Sequence, residues 1–429
     1  MIIQLLKRKV ALIALSVLMV LLVGSIVNEI VILYLSPQSQ ISDVYALSDE
    51  KANSVDKSLV SSNSKFALNI FKELSIEDAN KNVFISPLSI LIALSMAFNG
   101  AESTTKDAMA RVLQLENMSL EEINQRYLNL IESLENADNQ VKLSIADSVW
   151  IRDTLEPYVK QDFTQRVKEF FKSEVFCRDF GDPQTIDEIN GWISNKTNGK
   201  IDRMVEDIGP DLVMFLINAI YFKGEWVTSF NESATKQADF FLSDGSTVKA
   251  AMMSTKGNFS FYEGEDFKAA RLPYGRDKIA MYVFLPKGDV ALDSFIESLS
   301  QETLENYVDR FSLVEGLEVR FPKFKIEYGV KRLNDVLKEL GMGIAFDPTN
   351  ADFTGIAPAP LFIEYVDHKA VIEVNEKGTV AAAATVVGID VTSVPTNPTF
   401  IVDRPFFFVI RDDRSGTILF MGKVENPTA

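Results

Sequence analysis

The chain has 429 residues, 47% of them hydrophobic and 24% charged, a composition that can bury a large core and argues against a disordered chain. A formal net charge of -17 argues against nucleic acid or an anionic membrane surface as a partner, because both depend on clustered Lys and Arg. A single cysteine, Cys177, and a single histidine, His368, exclude an internal disulfide, a two-cysteine metal or redox motif, and any catalytic triad that does not pass through His368. Neither metal nor cofactor is expected, and Cys177 reads as a small buried hydrophobe.

Lys7, Arg8 and Lys9 precede 18 uncharged residues, Val10 to Val27, a length that fits a membrane span. The apolar run resumes after Asn28 and Glu29 as "IVILYL" with no clear cleavage site, so residues 1–35 are expected to be a retained signal anchor in preference to a cleaved signal peptide. Either form sends the remainder across the membrane, so the protein is expected to be extracytoplasmic, membrane-anchored or secreted. An extracytoplasmic chain without disulfides points towards a prokaryote. Residues 36–62, rich in Ser, Asp and Lys, are expected to form a flexible tether.

From residue 63 the pattern is that of one mixed α+β domain running to residue 429. "NSKFALNIFKELS" has helical spacing, "NVFIS" reads as a short strand, and a long apolar helix starts at Pro87, with Ser86 and Ser89 as candidate caps. Four further helices are expected in "TTKDAMARVLQL", "SLEEINQRYLNLIESLEN", "EPYVKQDFTQRVKEFF" and "PQTIDEINGWISNKTNGKI", which makes the first half mainly helical. After residue 212 the period changes to two and strands dominate, with hairpin turns at "SDGS" and "YGRDK". Two helices interrupt them, "LDSFIESLSQETLENYVDRF" and "VKRLNDVLKELGMG", the second closed by Gly341. No repeat and no linker divides this stretch.

The tract "GTVAAAATVVGID", Gly378 to Asp390, has no polar face to offer water. One explanation is an alanine-rich helix. The other is a segment able to become a strand inside a sheet, for which alternate side chains must enter a packed core. The set Thr379, Ala381, Ala383, Thr385, Val387 and Ile389 is uncharged, small first and bulkier later, while Asp390 falls on the other face with Val380, Ala382 and Ala384. Gly378 supplies backbone freedom for folding back, and the stretch from Thr379 to Thr392 spans about 46 Å when extended.

Eight blocks in order, "NVFISPLSI", "INGWISNKTNGKI", "FLINAIYFKGEW", "LPYG", "RFPKFKIE", "LGMGIAFDPTNADFTGI", "HKAVIEVNEKGTVAAAAT" and "FIVDRPFFFVIRDDRSGTILFMGKV", resemble the serpin family over essentially the whole chain from about residue 63. The resemblance implies three β-sheets, about nine α-helices and an exposed reactive-centre loop at about 378–400. It also implies a suicide-substrate inhibitor of serine proteases, with cysteine proteases as a further class, that traps its target as a covalent acyl-enzyme while the cut loop enters the central sheet. Such a protein is no enzyme and is expected to be a monomer.

Several residues take roles by this resemblance. Gly378, Thr379, Val380, Ala381, Ala382, Ala383, Ala384 and Thr385 form the hinge. Ser86, Ser89, Asn218 and His368 form the shutter beneath the opening sheet, and Trp226 belongs to the breach where the loop first enters. Spacing from Gly378 places the scissile bond at Thr392 and Ser393, whereas counting back from Arg404 and Pro405 gives Val394; the hinge spacing is preferred because it sets the insertion geometry. No Lys or Arg lies between Thr379 and Asp403, which favours an elastase-like or subtilisin-like target over a trypsin-like one. Val380 stands where the family often has glutamate, so a non-inhibitory serpin acting as a binding, chaperone or structural module is the alternative.

Overall fold

The computed structural model describes residues 51–135, 137–379 and 398–429. The segment expected to be an anchor, and the loop residues Val380, Ala381, Ala382, Ala383, Ala384, Thr385, Thr392, Ser393 and Val394, lie outside the described residues. One compact unit begins at Ala52.

The tether ends earlier than expected. Helix α1 runs over Lys57–Glu77, started by Asp56, whose carboxylate accepts the Leu59 N–H at 3.0 Å. Ala52, Val55, Leu59 and Val60 are buried, so the serine-rich stretch before residue 63 is part of the domain despite its polar composition. Strand β1 (Val83–Ile85) leads into α2 (Pro87–Phe98), where Pro87 occupies the first turn and the Ser86 hydroxyl accepts the Ser89 N–H. Helices α3 (Ser103–Val112) and α4 (Leu120–Glu135) follow.

Two strands correct the expectation of a mainly helical first half: β2 (Val141–Arg152) and β3 (Glu174–Arg178), with α5 (Gln161–Phe171) between them and α6 (Pro183–Lys196) after. Cys177, on the edge strand β3, is half-buried, and desolvation pushes its thiol up to about 11. The second half holds β4 (Met214–Glu225), β5 (Lys236–Phe241), β6 (Thr247–Glu263), β7 (Phe267–Tyr274) and β8 (Ile279–Pro286). The helix expected next is two, α7 (Leu292–Ser298) and α8 (Gln301–Val308), because the Ser300–Thr303 capping box starts a new helix. Strands β9 (Ser312–Pro322) and β10 (Phe324–Arg332) take up the "VKR" expected to open the next helix, so α9 is only Asn334–Leu337, and Gly341 at φ 109° turns the chain beyond it. The chain closes with β11 (Asp367–Asn375), β12 (Gly378–Thr379), β13 (Thr399–Ile401), β14 (Phe406–Asp412) and β15 (Thr417–Val424).

The fold is α+β, as expected. Among the described residues the strands form two hydrogen-bonded sheets where three were expected. The difference lies in β6, whose long run pairs with β5 at one end, β7 at the other and β9 along its length, fusing two sheets into one of nine strands. The second sheet has the order β10-β11-β12-β4-β2-β3.

Phenylalanines weld the layers. Phe84 stacks on Phe420 at 5.4 Å, Phe222 of β4 meets Phe420 edge-on at 5.9 Å, and Phe71 of α1 packs on Phe407 at 5.4 Å. Every residue of β15 is buried, which is why its sequence shows no alternation.

If α1 belongs to the core as described, Leu59→Ala should lower unfolding stability by about 2–5 kcal/mol, as expected for a fully buried leucine. A urea midpoint indistinguishable from the parent's would return these residues to the tether.

Candidate functional site

The six-stranded sheet is unusual at its centre. Among the described residues β11 and β4 are joined through β12, two residues long, with Val374 opposite Thr379 and Glu225 opposite Gly378. Past β12, Ile220, Tyr221 and Phe222 of β4 and Ala370, Val371 and Glu373 of β11 line one cleft, with Phe420 on the core side. The ion pair Lys200–Glu373, at 3.5 Å, sits at the outer face.

Gly378 enters this gap at φ 149°, and a Cβ there would stand 2.1 Å from the Gly224 carbonyl oxygen, so only glycine fits. Gly224 is held in turn by Tyr274, whose ring a Cβ at 224 would meet at 2.9 Å. The Thr379 side chain turns inward and shares a hydrogen bond of 2.8 Å with the buried Tyr274 hydroxyl. Burial drives that phenol far above its ordinary range, so it stays protonated and able to donate.

Trp226 lies at the same mouth. Its indole N–H donates to the Asn375 carbonyl at 3.0 Å, its backbone N–H donates to that of Lys377 at 2.9 Å, and its ring stacks on Tyr274 at 4.3 Å. Beside it Glu376 is buried yet paired with Lys323 at 2.9 Å and with the Thr235 hydroxyl at 2.8 Å. Burial opposes its charge, but these bonds win and hold the carboxyl below its ordinary value.

Lower in the sheet, the structure brings Ser86, Ser89, Asn218 and His368 together around the start of α2. The Ser86 backbone N–H donates to His368 Nε2 at 3.1 Å and its hydroxyl donates to the Leu419 carbonyl at 2.8 Å. The Ser89 hydroxyl donates to Asn218 Oδ1, and Asn218 Nδ2 donates to Asp147 Oδ1 at 2.5 Å. One helix start therefore holds β11 through His368 and β4 through Asn218. Burial lowers His368 to about 4, so it is neutral and accepts through Nε2. Lowered from 6.5, it contributes stability that is complete above the unfolded value and is lost as pH falls through about 4.

Asp147, Tyr274, Gly224 and the Glu376–Lys323 pair were not expected from the sequence. Asp147 carries a signal, a lone acid among the apolar residues of "LSIADSVWI", but only the strand pairing with Asn218 gives it a meaning.

The family model described as Serpin (serine protease inhibitor) matches residues 61–427. Serpin B11 of Homo sapiens is 33% identical, covering 86% of this chain and all of that protein. An uncharacterized serpin-like protein of Thermococcus kodakarensis is 36% identical over 87% of this chain and 86% of its own length. Among solved structures, the thermophilic serpin Tengpin in the native state matches with TM-score 0.79 and 31% identity, covering 87% of this chain and 95% of that one. Tengpin in the latent state matches with TM-score 0.73.

Ser86 both caps α2 and tethers it to β15. Ser86→Ala should therefore cost about 1–2 kcal/mol, seen as a lower denaturation midpoint with unchanged helical content. An unaltered midpoint would remove the helix start from the network.

Proposed function

Because the chain belongs to the serpin family, whose members are generally protease inhibitors and not enzymes, we propose that it is an extracytoplasmic inhibitor of serine-type endopeptidases acting as a suicide substrate. The loop at about 378–400 is the bait, cut at Thr392–Ser393, and the target has a small apolar pocket of the elastase-like or subtilisin-like kind. Cleavage releases the loop, which runs down between β4 and β11 while the protease remains bound through its acyl bond.

The single observation that carries this reading is β12. The hinge already occupies the place of a central strand at the head of the cleft, with Thr379 directed inward. A loop that starts between two strands can extend the same ladder downward without changing its register, and each added residue gains backbone hydrogen bonds on both sides. The charge balance along the path suits this direction, since the hinge tract offers no charge to bury.

Incubation of the domain with an elastase-like and a subtilisin-like protease should give a covalent complex that survives SDS. Cleavage without trapping, or no reaction with either, overturns inhibition and favours the non-inhibitory module. Thr379→Arg should convert the inhibitor into a substrate, because the guanidinium would have to enter the apolar space beside Tyr274. Continued trapping by that variant would sink the insertion path.

A further inference from the structure

Beneath the sheet, β4 is anchored by a relay of three side chains from three elements: Ser89 of α2, Asn218 of β4 and Asp147 of β2. Amide chemistry makes this relay directional. Asn218 presents its NH₂ to Asp147 and its oxygen to the Ser89 hydroxyl, so an acceptor at 147 is what turns the amide towards α2. Asp147 is 4% exposed, and its side chain takes a hydrogen bond from Asn218.

We propose that Asp147 is the positioning residue of this anchor, and that its charge state makes the hold of α2 on β4, and hence the opening of the β4–β11 cleft, respond to pH. The link to opening rests on the inhibitory reading above; the charge state itself does not.

The surroundings decide the sign. From β4 the carboxyl meets Asn218, which in turn accepts from Ser89 of α2; from α4 it feels the charge of Glu135, which opposes ionisation; and from β11 the network contains His368, which is neutral. Among the described residues Asp147 forms no ion pair with a lysine or arginine, unlike Glu376, which Lys323 neutralises at the mouth. Burial therefore pushes the Asp147 carboxyl up to about 7, with the Asn218 bond opposing. Raised in the folded state, the group contributes stability that is complete below the ordinary carboxyl value of 3.8 and is lost as pH rises through about 7. The anchored sheet is held best with Asp147 protonated, and above neutrality a buried charge strains the relay. His368 acts in the opposite sense between about 4 and 6.5, inside this window, so the Asp147 contribution is read against a variant that keeps His368.

The full chain, or the domain from residue 52, is heated at pH 5.5, 6.5, 7.5 and 8.5 and its first thermal transition recorded, for the parent and for Asp147→Asn, which keeps a side-chain oxygen acceptor and cannot ionise. Measured against Asp147→Asn at each pH, which carries the same His368 contribution, the parent's midpoint should fall by about 3 °C between pH 5.5 and 7.5 and change little above that. An unchanged slope in Asp147→Asn overturns the proposal. Carboxyl-carbon NMR of aspartate-labelled parent needs no variant: one aspartate titrating near neutrality supports the assignment, and titration of all of them below about pH 5 overturns it. Neither readout uses a protease, so failure to inhibit and failure of this relay remain separate results.

Discussion

The start of α2 ties down both strands that border the cleft by side chains. Ser86 holds β11 through His368, Ser89 holds β4 through Asn218, and the Ser86 hydroxyl fastens the turn to β15 behind. A sheet interior normally needs no such ties, because the ladder of backbone bonds between neighbouring strands is sufficient. Here β12 is the link between β4 and β11 among the described residues, so side chains perform what the ladder does elsewhere. Side-chain bonds of this kind can be exchanged one at a time, whereas a ladder must be unzipped.

The two ends of the cleft use different chemistry. At the mouth, rigid groups set position: Gly378 against the Gly224 carbonyl, the Trp226 ring on Tyr274, the Glu376–Lys323 pair. These contacts fix where the chain enters and leave no room for a side chain at 378. At the floor the groups are small, polar and neutral, with His368 uncharged by burial and Asp147 held largely protonated below neutrality by the same cause. A buried polar network that is satisfied specifies one arrangement, and its cost when disturbed is high. The mouth therefore determines register and the floor determines how firmly the two strands are held.

Much of this was legible in the sequence because it is local. Ser86 before Pro87 is a helix start that any chain would use, and the alternation of uncharged residues from Thr379 is visible by inspection. Trp226, Asn218 and His368 could be placed only through their family blocks, since nothing in their neighbouring residues says that positions 150 apart will meet. What stayed hidden depends on pairing across distance. β2 and β3 escape sequence reading because they lie among helices, and without β2 there is no way to see Asp147, whose meaning comes from lying opposite Asn218. Tyr274 belongs to a strand that was expected, yet its hydroxyl is assigned by a partner more than a hundred positions away. Composition obscures the early end of the tether: Ser and Asn dominate the first turns of α1, where Asn63 and Ser64 are buried beside Leu59 and Val60.

The inward direction of Thr379 gives the tract that follows a physical logic that composition alone leaves open. With that side chain buried against Tyr274, a strand continuing from it would turn Ala381 and Ala383 to the same face, past the aromatic ring of Phe222 and the buried side chain of Ile220. Those wall residues are large, so an entering segment must be small where it first passes them, or the strands must separate further before any backbone bond is gained. Bulk becomes tolerable only after the strands have parted, and the bulkier Val387 and Ile389 come last in that inward series. The order of side-chain sizes along the tract thus matches the order in which such an opening would meet resistance, which a helix of alanines would have no reason to preserve.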